Sequence, residues 1–124
     1  MTEARESSKR RAPRLPTHLD GSLLGRLPRP VRVVDLSLTG CLVQCPSLLD
    51  HGAILDLEIR LPDRVAAKVR VMNSYLDGAT APAESPRFLA GLEFLGLAAQ
   101  AQASLRQFIE GERKRRRGAD AAAQ

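Results

Sequence analysis

Residues 54–62, ILDLEIRLP, set the fold class. Leu55, Leu57, Ile59 and Leu61 alternate with Asp56, Glu58 and Arg60. Period two is the signature of a strand with one dry face and one wet face. Pro62 and Asp63 then turn the chain. Residues 65–76, VAAKVRVMNSYL, place Val69 and Val71 on one face and Lys68 and Arg70 on the other. The two runs predict a β-hairpin.

Further strands flank this hairpin. In FLAGLEFLG, residues 88–96, Phe88, Ala90, Leu92 and Phe94 share a face. Gly91 stands inside that run, where a missing side chain marks a bulge or a close backbone approach. Residues 77–87 have loop composition. Upstream, Gly21, Gly25, Pro28 and Pro30 leave only a weak strand around Leu23 and Leu24, followed by a loop, with a firmer strand from Val31. After Gly96 the period changes: Ala101, Leu105, Phe108 and Ile109 follow helical spacing of three and four. Serial short strands followed by one helix predict an antiparallel sheet or small barrel with a terminal helix over an open end.

The 124 residues suffice for one domain. No apolar run reaches the roughly 18 residues of a membrane span, and the N-terminus lacks the apolar core of a secretory signal. The expected setting is the cytoplasm, where Cys41 and Cys45 are thiols on one strand face. With only His18 and His51 to join them, and neither at a zinc spacing, no metal site is expected. The chain carries a net +5. Residues 1–14 hold five basic and two acidic side chains and residues 110–124 five and three, so the body between is neutral. Neutrality of the body and an aromatic content of 3% argue against a nucleic-acid-binding domain. The expected organisation is a flexible basic arm over residues 1–16, a folded unit over 17–112 and a basic, disordered tail over 113–124.

Two stretches carry chemistry. Arg10 and Arg14, with Arg11 between them, lie on an arm that Pro13 and Pro16 keep extended, and their even spacing puts both on one side. Guanidinium groups fork onto phosphate and onto guanine O6 and N7, which suits a flat, doubly anionic nucleotide. In VVDLSLTGC, residues 33–41, polar Asp35 and Ser37 and the small Gly40 interrupt an apolar strand. With Val34, Leu36 and Leu38 on one face, Asp35 and Ser37 would project together from the other and grip a purine edge; the alternative is a turn, which Asp, Ser, Thr and Gly also favour. No nucleophile–base pair is evident, so no enzyme is expected.

Together, Arg10-Arg11-Ala12-Pro13-Arg14 fits RxxxR, and Asp35-Leu36-Ser37-Leu38-Thr39-Gly40 fits DxSxxG. In order and spacing this resembles the PilZ domain, a bacterial receptor module for cyclic di-GMP. The resemblance runs over roughly residues 8–112 and includes the GLEF strand and the LRQFI helix. It implies a mainly β fold: a six-stranded antiparallel β-barrel with a C-terminal α-helix. It also implies cyclic di-GMP as ligand, with no further cofactor, bound by Arg10, Arg11, Arg14, Asp35, Ser37 and Gly40. The arginines would meet phosphates and guanine Hoogsteen edges, and Asp35 and Ser37 the guanine N–H groups. A further contact is implied from a strand near Met72 and Asn73. The implied role is a receptor that passes the second messenger to a downstream partner protein controlling motility, pili or exopolysaccharide. The alternative is an adaptor of the same fold that binds no nucleotide.

Overall fold

A computed structural model describes residues 14–25, 28–78 and 86–123. Six strands and one helix follow in order: β1 (Leu15–Leu24), β2 (Arg29–Leu36), β3 (Gly40–Cys45), β4 (Ile54–Arg60), β5 (Arg64–Leu76), β6 (Phe88–Leu95) and α1 (Ala99–Ala123). Every pairing is antiparallel, and the strands close into a barrel in the order β1-β2-β3-β6-β5-β4.

The inward faces are those that the alternation predicts. Leu57 and Ile59 of β4, Val69 and Val71 of β5, and Ala90 and Leu92 of β6 are buried, and Cys41, Val43 and Cys45 line the inside of β3. Both cysteines are free thiols. Burying each Leu, Ile or Val contributes about 1.5–3 kcal/mol. Leu105 and Ile109 of α1 complete the core, with Ala101 and Phe108 packed alongside. The helix thus stops one end of the barrel with a stripe spaced three to four residues apart. Among the described residues no helix is long and apolar enough to cross a membrane.

Three details depart from expectation. β1 begins at Leu15, inside the expected arm, and runs for ten residues rather than forming a weak strand at Leu23 and Leu24. Leu15, Thr17, Gly21 and Leu23 alternate inward, and the register against β2 slips between Pro16 and Leu19. A strand end beside a bulge is where proline is tolerated, because no ladder N–H is needed there. Next, α1 continues through residues 113–117 to Ala123, where a disordered tail was expected after 112. Alanine and arginine favour helix on intrinsic propensity even where nothing apolar directs them to a core.

The third departure bears on function. VVDLSLTGC is not one strand. β2 ends at Leu36, a turn follows, and β3 opens at Gly40. Within β2, Val33 pairs with Val43 but Asp35 pairs with Leu42, so Val34 and Asp35 together oppose one residue. This bulge resets the alternation. Val33 and Leu36 both point into the core, and Val34 and Asp35 are both half-buried on the outside. Thr17 donates its hydroxyl to the Val33 carbonyl at 2.6 Å, satisfying a buried acceptor where the neighbouring ladder is interrupted.

Candidate functional site

One cross-strand row organises the outer wall of the barrel. Pro16 pairs with Asp35, Asp35 with Leu42, Leu42 with Gly91, and Gly91 with Asn73. The three register shifts in the barrel fall along this row: after Pro16 in β1, at Val34 in β2 and at Met72 in β5. Bulges cluster beside functional sites because they re-aim side chains that a regular ladder would fix.

The row borders a cleft of about 160 Å³ whose lining includes Arg14, Ser37, Gly40, Met72, Asn73 and Gly91. Arg14 Nη1 stands 3.6 Å from Asp35 Oδ2; the arginine side chain is 68% exposed and the carboxylate 23%. The other carboxylate oxygen, Asp35 Oδ1, is buried with no hydrogen-bond partner among the described residues. A buried carboxylate oxygen without a donor is destabilising by about 1–3 kcal/mol, so its persistence calls for an explanation.

Ser37 plays a different part from the one its alternation suggested. It does not share a strand face with Asp35 but lies in the turn, buried. Its Oγ accepts the amides of Thr39 and Gly40 at 3.2 Å each, and donates toward the Gly40 carbonyl at 3.2 Å. The Ser37 amide closes the turn on the Gly40 carbonyl at 2.9 Å, and the Thr39 carbonyl accepts the Phe94 amide at 2.9 Å. The hydroxyl therefore builds the β2–β3 turn and helps fasten it to β6. Gly40 is required by close approach, since a Cβ there would run into the Leu92 carbonyl oxygen and stand 3.3 Å from Glu93 Cα. Both are backbone atoms, so the two strands could not keep their spacing.

Asn73 lies on β5, the strand from which the family resemblance implies a further contact. Its Oδ1 accepts the Gly91 amide at 2.9 Å, which fixes the carboxamide at the floor of the cleft. Gly91 was a visible signal, but its partner is chosen by the β5–β6 register. Beneath the cleft, burial, and then the Asp35 carboxylate, push the Cys41 thiol up to about 12, with Arg14 opposing. Of the arginine motif, Arg14 is in place; Arg10 and Arg11 lie outside the described residues.

A closed six-stranded antiparallel barrel, stopped by a C-terminal helix, thus carries an arginine–aspartate pair beside a serine-held turn on its outer wall. The PilZ domain family model matches residues 8–111, and the chain belongs to that family. Among solved structures, the PilZ domain of Escherichia coli YcgR with c-di-GMP aligns at a TM-score of 0.73 and 16% identity, covering 90% of this chain and 98% of that one. The Bacillus subtilis inhibitor of motility MotI/DgrA aligns at 0.70 and 23% identity, covering 86% and 53%. The K. pneumonia MrkH–c-di-GMP complex aligns at 0.63 and 19% identity, covering 85% and 55%. The chain thus spans about half the length of the last two proteins. No curated protein matches the sequence.

Proposed function

We propose that this chain is a cytoplasmic cyclic di-GMP receptor, without catalysis, that relays the second messenger to a partner protein. The observation that carries the reading is Asp35: one oxygen pairs with Arg14 while the other is buried without a donor among the described residues. A guanine presents N–H groups on the edge that such an oxygen would accept, and the bond would offset the desolvation already incurred in the free protein. Arg10 and Arg14 bind the phosphates and the Hoogsteen edges, and Arg11 adds charge or a further contact. Ser37 and Gly40 hold the turn beneath the ligand. Two solved relatives carry c-di-GMP on this fold, which supports the ligand's identity.

In this reading the arm ahead of β1, up to Arg14, orders across the ligand, and the surface so formed is what the partner recognises. The test is a calorimetric titration with cyclic di-GMP on the native chain and on the Arg10→Ala/Arg14→Ala double variant. Micromolar or tighter binding that the variant loses is the expected result. Absence of binding by the native chain, repeated by a second method, would leave an adaptor that takes no nucleotide.

A further inference from the structure

The basic segment of α1 has no part in the site as described, yet it touches the site's boundary. Arg116 Nη2 donates to the Pro16 carbonyl at 2.7 Å, joining residues 100 apart in the chain. Pro16 is the first member of the cross-strand row, paired with Asp35, and lies two residues from Arg14. It stands where the β1–β2 register slips, so the ladder is interrupted just beyond this carbonyl. Arg116 is itself braced, with Glu112 Oε1 3.5 Å away on the preceding helical turn. Glu112 is only 19% exposed and also pairs with Arg115. An i,i+4 carboxylate ahead of an arginine is the favourable orientation on a helix, and it limits the rotamers that the guanidinium can reach. The buried stripe of α1 ends at Ile109, and beyond it Arg116 ties the helix to β1.

We infer that Arg116 is a positioning residue for the arginine arm: by holding the Pro16 carbonyl it fixes the point and direction at which the chain leaves the barrel toward Arg14. This rests on the reading given under Proposed function for its consequence in binding, but not for the contact itself. Without this contact Arg14 would sample more orientations, and the ligand would have to order the root of the arm as well as the arm.

The test uses the full chain as wild type, Arg116→Ala and Lys114→Ala; Lys114 is exposed on the same helix and serves as a charge-matched control. Amide hydrogen exchange is measured without ligand, and cyclic di-GMP affinity by calorimetry. Arg116→Ala should speed exchange at residues 15–18 while leaving β4 and β5 unchanged, and should weaken affinity about three- to tenfold, as loss of one exposed charge-assisted bond predicts. Lys114→Ala should do neither. Unchanged exchange at 15–18, unchanged affinity, or equal losses in both variants overturns the assignment. Should the wild-type chain bind no cyclic di-GMP, the receptor reading fails, and the exchange at 15–18 alone decides whether Arg116 holds the arm's root.

Discussion

Asn73 Oδ1 accepts the amide of Gly91, and the same oxygen stands 2.8 Å from where a Cβ on residue 91 would be. The obstacle is the end of a side chain that can swing aside. At Gly40 the obstacles are the Leu92 carbonyl oxygen and Glu93 Cα, which cannot.

The two glycines should therefore separate stability from binding. Gly40→Ala is expected to destabilise the fold by about 2–4 kcal/mol in urea titration. Gly91→Ala should lose no more than about 1.5 kcal/mol. It should still weaken cyclic di-GMP binding, because the displaced carboxamide no longer floors the cleft. Equal losses of stability would contradict this account of β3 and β6.

Asp35→Ala should abolish ligand binding without harming the fold. The substitution removes a buried oxygen that has no donor among the described residues, relieving about 1 kcal/mol or more. It also removes an ion pair whose arginine is largely exposed, which contributes little. Denaturation midpoints of the two proteins decide the matter, and a loss above about 2 kcal/mol would show that Asp35 is structural.

Ser37→Ala acts in the opposite sense. It strips the Thr39 and Gly40 amides of their acceptor inside a buried turn, at an expected loss of about 1–2 kcal/mol. Ligand affinity should fall only as far as the turn loosens. A variant as stable as wild type that no longer binds would instead make Ser37 a direct ligand contact.

Cys41 gives a prediction in pH. Its folded value of about 12 lies above the ordinary thiol value near 9.0. The folded state therefore keeps a proton that the unfolded state releases, so stability is unaffected below about 9 and falls as pH rises from there toward 12. Cys41→Val should flatten that slope in urea titrations between those limits. At neutral pH, alkylation of Cys41 should proceed no faster than unfolding.

The parts of the fold that were legible in the sequence are those where one periodicity runs without interruption. Leu57 and Ile59, Val69 and Val71, and Ala90 and Leu92 announce their strands, and Leu105 and Ile109 their helix, because a single face decides each element. VVDLSLTGC misled because the bulge at Val34 puts Val33 and Leu36 on the same side, which strict alternation forbids. β1 was obscured by Pro16 and Gly21, residues that in isolation read as breakers. The far part of α1 has no apolar stripe to betray it. Arg14, Asp35, Ser37 and Gly40 were legible as motif positions, although the division of labour between Asp35 and Ser37 was not. The strand near Met72 and Asn73 was reached only through the family resemblance, and the bond between Asn73 and Gly91 was not legible, because strand pairing rather than spacing along the chain brings the two together.

The ring of strands running from β1 through β6 and back by β4 has a consequence for communication. A sheet with a first and a last strand offers its unpaired main chain as a template, and many peptide-binding domains recruit partners by letting them add a strand there. Here every strand has a neighbour on both sides, and only segments such as Leu15–Asp20 of β1 and Asn73–Leu76 of β5 pair on one side alone. In the receptor reading, a downstream protein would therefore recognise chiefly side chains, the bound nucleotide or the arm itself, since the ring presents no whole strand as a free rung to an extended peptide.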